Sequence, residues 1–210
     1  MQPASAPASS VTDAPFRYVG GDPSADFVNT VNWTERGLER DRLFDYGRLL
    51  EWARGAGVLG AREERQLRRA AQAQPRRAAE ALEAARHLRD VLQRVLSAAA
   101  RGQLTLGGLD ELNALLAEAA SHVRIVRAEG GGLARGWEGL GESLESPLWP
   151  VTWAAAELLA SSEAARLRVC AGDDCGWVYV DRSRNGLRRW CEMSTCGTTE
   201  KNRRRAPRRP

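Results

Sequence analysis

The sequence predicts an α+β protein: a helix-rich N-terminal body with a few short strands, followed by a small cysteine-bearing module. Three observations predict it. Apolar residues recur at the helical period over a long stretch between Pro75 and Arg101. The period shifts toward alternation near His122, where a glycine cluster follows. All four cysteines and most of the excess positive charge fall after Arg166.

Taken in order, Phe16–Gly20 (FRYVG) has the partial alternation of a short strand. Asp22-Pro23 is a helix start, with the carboxylate as cap and proline in the first turn, and Phe27, Val28 and Val31 supply its apolar face. Asp45 can cap a second helix through Trp52 and Ala53 that stops at Gly55-Ala56-Gly57. A third runs from about Ala61 to Ala73 and breaks before Pro75. Ala78, Ala81, Leu82, Ala85, Leu88, Leu92, Val95, Leu96 and Ala99 then form one stripe, with Arg77, Glu80, Glu83, Arg86, Asp90 and Arg94 mostly opposite. Gly107-Gly108 separates this long helix from another at Leu109–Ala120. His122–Arg127 and Leu133–Glu138 read as a hairpin turning at Gly130–Gly132. Ser146-Pro147 is expected to cap a helix through Leu159, and Pro150 lies early enough in it to be tolerated.

The expected organisation is a tail at 1–15, a body at 16–162, a cysteine module at 166–206 and a basic tail at 207–210. Met1–Pro15 is rich in Ala, Ser and Pro without Lys or Arg, which reads as a disordered tail and not a signal peptide. No apolar run approaches the ~18–20 residues of a membrane helix, and a cytoplasmic location with reduced cysteines is expected. Charge is unevenly placed. Arg166–Pro210 carries 12 Lys/Arg against 5 acids, while the other 165 residues carry 19 against 22. A basic end on a mildly acidic body points to a polyanion partner for the end, the alternative being a merely solvated tail.

The cysteines are spaced Cys170-x4-Cys175 and Cys191-x4-Cys196, with fifteen residues between the pairs. Two pairs flanking such a loop suit one tetrahedral four-sulfur zinc site, with free or redox-active thiols as the alternative. With every position filled by sulfur, no place is left for a water nucleophile, so the expected Zn²⁺ is structural. Metal binding would also supply folding energy to a segment too short to build its own core. Trp177–Val180 and Leu187–Trp190 are expected as strands turning at Asn185-Gly186, and Trp177 and Trp190 as core. Gly197–Ala206 can form a helix that Pro207 stops. Lys201, Arg204 and Arg205 share a face on it, and Arg182, Arg184, Asn185, Arg188 and Arg189 stand on the preceding loop. Arginine suits phosphate and guanine, and asparagine suits adenine, so these eight residues are the candidate nucleic-acid contacts.

At these residues the chain resembles the CGNR zinc finger. Both cysteine pairs match, as do Trp177, Asp181–Asn185, Arg188–Cys191, Met193 and Lys201. It departs at Thr198 and Thr199, where the family has Asn and Arg. Phe16–Gly21, Asp26–Thr30 and Asp45–Leu59 are similar to the ABATE domain, an α/β module that accompanies this finger in proteins assigned to stress-induced transcription regulation. The resemblance implies a bacterial regulator whose finger binds DNA, and both cysteines at the departure remain to hold metal.

No enzyme motif was found. His87 and His122 lack ligand spacing, and no GxSxG, Walker or dinucleotide fingerprint occurs, so no catalytic residue is expected. Asn29, Thr30 and Trp33, beside Asp26 and Asn32, could line a small-molecule pocket, or could simply hydrogen-bond to nearby backbone. The sequence therefore reads as a DNA-binding transcriptional regulator whose body senses an effector or mediates assembly, with a homodimer as one arrangement. The alternative is a zinc-stabilised module that binds protein or RNA.

Overall fold

The computed structural model describes residues 14–34, 37–39, 41–128, 130–173 and 175–205; the rest of both terminal tails lies outside them. Its helices are α1 (Pro23–Val28), α2 (Tyr46–Gly55), α3 (Ala61–Ala73), α4 (Pro75–Ala100), α5 (Asp110–Ser121), α6 (Leu148–Ala160) and α7 (Thr198–Arg205). Three antiparallel strand pairs accompany them: β1 (Asn32–Thr34) with β2 (Gly37–Glu39), β3 (Val123–Arg127) with β4 (Leu133–Trp137), and β5 (Leu167–Val169) with β6 (Val178–Val180).

The helices begin where local chemistry starts them. Asp22 accepts from Ser24 N at 2.9 Å and Asp45 from Arg48 N at 2.8 Å, each satisfying an otherwise orphaned donor of the first turn. At α6 the expected cap is replaced. Pro147 precedes the helix, and the Ser146 hydroxyl instead accepts from Gly141 N at 3.1 Å, tying down the preceding loop.

The central element is α4. Its apolar stripe from Ala78 to Leu96 is buried against α1, α2, α3, α5 and α6. Arg89 is buried in the same helix and joins Asp41 through two 2.7 Å bonds and Thr30 through one of 3.2 Å. Those bonds hold the Asp41 carboxyl below its ordinary value despite burial. Arg89 thus carries the one buried charge of this helix to a partner, without which burial would be prohibitive.

Leu167, Val178 and Val180 belong to the same buried cluster as α1, α2, α4 and α6, so the C-terminal segment packs into the body. Here three sequence expectations change. Phe16–Gly20 is extended but forms no strand; its polar groups bond singly, Gly20 O from Val180 N (2.8 Å) and Gly20 N to Asp26 (2.7 Å). Leu187–Trp190 is also not a strand. One edge of β6 is taken by β5, and the other by body groups, Asn29 on Val178 and Gly20 on Val180. No edge remains for a return strand. Asp181 instead gathers the loop after β6, accepting from Ser183 N (2.9 Å), Ser183 Oγ (2.6 Å) and Arg188 N (3.0 Å). The hairpin of the cysteine module is therefore β5–β6, which leads into and out of the first cysteine pair. The third change is β1–β2, which the sequence reading did not anticipate.

Candidate metal centre and nucleic-acid interface

Cys170 follows β5, Cys175 lies before β6, Cys191 ends the loop after β6, and Cys196 sits in the wide helical turn Met193–Gly197 that leads into α7. The four Sγ atoms lie within 4.8 Å of one another. Cys175–Cys191 and Cys191–Cys196 are each separated by 3.6 Å. A disulfide needs about 2.05 Å, whereas four sulfurs about 2.3 Å from one tetrahedral ion stand about 3.8 Å apart. The donor set fits one structural zinc ion.

The protonation chemistry agrees. Hydrogen bonds from Cys175 and Cys191 hold the Cys170 thiol far below its ordinary value. The same bonds to Cys170, with burial, push Cys175 and Cys191 up. Crowded sulfurs cannot all ionise unless a cation lies among them. The surrounding shell is organised for thiolates: Cys191 N donates to Cys170 Sγ at 3.3 Å. Cys170, Cys175 and Cys191 are buried and Cys196 is half-buried. Trp177 and Tyr179 are buried beside them, and Trp190 packs half-buried against the cluster.

The body positions this centre. The Asn29 side chain donates to Val178 O at 2.8 Å and accepts from Val178 N at 3.0 Å, imitating a neighbouring strand. Trp177 Nε1 donates to Val31 O at 2.9 Å, and Trp33 N to Cys175 O at 3.1 Å. The fit is close at Gly176, whose φ is +61° and where a Cβ would fall 2.1 Å from Trp33 O. Thr30 Oγ1 donates to Phe27 O and Trp33 Nε1 to Val28 O. Asn29 and Thr30 are therefore enclosed and hydrogen-bonded to backbone within the fold, the second of the two readings given for them, and they lie at a seam between body and finger.

The expected nucleic-acid residues divide into two groups. Arg188 points inward. It donates to Trp190 O (3.0 Å), Val19 O (3.1 Å) and Cys191 O, and lies 4.3 Å from the Tyr179 ring centroid. Arg182 is exposed but paired, held bidentately by Glu163 at 2.8 Å. Arg184, Asn185, Arg189 and Lys201 are also exposed, and among the described residues none of Arg184, Arg189 and Lys201 has an acidic partner. Arg189 lies 5.4 Å from the Trp190 ring. The side chains of Arg204 and Arg205 lie outside those described, although α7 extends to Arg205. Arg184, Asn185, Leu187, Arg189, Trp190 and Met193 line a groove of about 400 Å³ with Leu187 and Met193 well exposed.

The sequence reading missed Asn29 as a strand mimic, Asp181 as the loop's organiser and Arg188 as a clamp. A short polar residue at a helix end and a carboxylate before a Ser-x-Asn-Gly turn were the available signals. The histidines occupy peripheral sites. His87 faces Glu111 at 3.1 Å, and His122 stacks on Trp149 with ring centroids 3.5 Å apart.

A helix-rich body interlocked with a four-sulfur centre defines a zinc-finger protein. The ABATE family model, described as a putative stress-induced transcription regulator, matches residues 21–162, and the CGNR zinc-finger model matches residues 166–209. The chain belongs to the ABATE family and carries a CGNR zinc finger. No curated protein matches it. Neither family is described as enzymatic, and among the described residues no helix is long and apolar enough to cross a membrane. The chain's Thr198 departs from the finger's signature and donates its hydroxyl to Met193 O at 2.9 Å.

Proposed function

We propose that this protein is a transcription regulator that binds double-stranded DNA through its finger. Cys170, Cys175, Cys191 and Cys196 hold the zinc in this reading, and Arg184, Asn185, Arg189 and Lys201 face the duplex. The observation that carries it is the division among the basic residues. Arg188 is turned inward and the exposed Arg182 and Arg203 are paired with Glu163 and Asp173, while among the described residues Arg184, Arg189 and Lys201 stand exposed without acidic partners. Uncompensated cations on a rigid platform suit a phosphate backbone. Asn185 and the exposed Leu187 and Met193 add groups suited to base edges and thymine methyls. The body holds the finger in place through Asn29, Val31 and Trp33. A reducing cytoplasm is the compartment in which four thiolates on zinc would persist.

With Arg188 turned inward and Arg182 paired with Glu163, about three to five phosphate contacts per chain remain, including Arg204 and Arg205, which gives a log–log salt slope of about −3 to −4.5 on duplex DNA. Fluorescence anisotropy across a salt series measures it. Arg184→Ala and Arg189→Ala each reduce the slope magnitude by about 1 and leave stability unchanged. A slope near −1, or tighter binding to duplex RNA or to an acidic peptide at matched salt, overturns the proposal.

A further inference from the structure

The β3–β4 hairpin is sparsely covered by the rest of the body. Its strands pack chiefly on one another, and Ile125 (70% exposed) and Leu133 (78% exposed) stand on it with the partly exposed Val126. The ladder determines which backbone groups remain available. Val123 pairs with Trp137, Ile125 with Arg135 and Arg127 with Leu133, while the flanking bonds run from Glu138 N to His122 O and from Ala128 N to Gly132 O. The groups of His122, Arg124, Val126 and Ala128 therefore point toward β4, and those of Val123, Ile125 and Arg127 point away from it. Of the outward groups, the Val123 carbonyl accepts from Arg124 Nη1 at 2.8 Å. Those of Ile125 and Arg127 have no partner elsewhere among the described residues. An unpaired edge of this kind is a template for another strand.

We propose that the occupant is a second copy of this chain, whose β3 pairs antiparallel with this β3 about a two-fold axis at Ile125, making a four-stranded sheet. The edge is self-complementary in that register. Ile125 faces the partner's Ile125, Val123 faces the partner's Arg127, and Arg124 faces the partner's Val126, so no like charges stand opposite. The outward groups then supply about four backbone hydrogen bonds across the axis without displacing Arg124. The other edge is excluded by charge. The equivalent two-fold on β4 would set Arg135 against the partner's Arg135, a destabilising pair, and Arg135 is already engaged by Glu157 and the Trp153 ring. A closed two-fold contact explains how an exposed edge with Ile125 at its centre avoids open-ended assembly. The inference does not rest on nucleic-acid binding, and its test contains no nucleic acid.

Sedimentation velocity of the zinc-loaded full chain tests it. The expected result is a species of twice the 23.0 kDa chain mass that dissociates on dilution. Ile125→Arg places two guanidinium groups at the axis and raises the dimer dissociation constant at least about tenfold. Because Ile125 is exposed in the single chain, this variant keeps wild-type helicity and zinc content. Leu133→Ser, which removes a comparably exposed apolar group from the other strand, leaves the dissociation constant within about threefold of wild type. A chain that stays monomeric at all concentrations overturns the proposal. So does a dimer that survives Ile125→Arg, or one that weakens equally in Leu133→Ser.

Discussion

Asn29→Ala isolates the bond between body and finger without touching a sulfur. Asn29 is 2% exposed, and its amide pairs with both the N–H and the C=O of Val178 in the only strand that carries the chain from the first cysteine pair to the second. Alanine removes both partners and leaves two enclosed backbone groups unsatisfied. Each orphan costs about 1–3 kcal/mol, so the expected loss is about 2–5 kcal/mol. Asn29→Asp loses at least as much, because it keeps an acceptor for Val178 N but sets a second oxygen against Val178 O. Urea unfolding followed by tryptophan fluorescence at fixed excess zinc measures the loss, and zinc stays at one ion per chain. Hydrogen exchange adds position, since protection should fall first at Val178 and Val180. A change within about 0.5 kcal/mol of wild type would refute the claim that this amide joins the two segments.

Arg188→Ala loses bonds to three carbonyls, so it should cost about 2–4 kcal/mol and loosen zinc in a chelator competition, whereas Arg184→Ala changes neither. Asp26 gives a pH signature. Burial lifts its carboxyl to about 7, overcoming the opposing hydrogen bond from Gly20 N. The fold therefore binds the proton more tightly than the unfolded chain does, and stability is lost as pH rises from about 4 to about 7. The loss is on the order of 2–4 kcal/mol, and Asp26→Asn should abolish the difference between wild-type unfolding at pH 5.5 and pH 8. Chelation of zinc should melt β5–β6 and α7 together, seen as lost exchange protection at 167–205, because an ion holding four sulfurs contributes about 10 kcal/mol or more. Readdition of zinc under reducing conditions restores it.

Much of the fold was written locally. The caps at Asp22 and Asp45, the stripe on α4 and the three glycines before β4 act on neighbouring residues, and each appears where spacing and residue type placed it. Gly130, Gly131 and Gly132 all adopt positive φ, as that turn requires. The cysteine quartet was legible for the same reason, since paired sulfurs with a long return loop have few other uses. The basic residues were legible only as a set. Composition showed that the finger is cationic, but the inward orientation of Arg188 depends on Tyr179, Val19 and Cys191 converging from separate parts of the chain.

The sequence alone determined the helices, the cysteine module and the sign of its charge, because those follow from short-range periodicity, capping and ligand chemistry. Only the tertiary structure decided what borders β6. Two distant body residues, Gly20 and Asn29, occupy the edge that a local hairpin would have used. That choice displaced the expected strand at Leu187–Trp190 and committed Asn29 to the seam between body and finger, while Arg188 turned inward onto Val19. A strand edge can be paired only once, and which segment takes it is settled by packing of the whole chain.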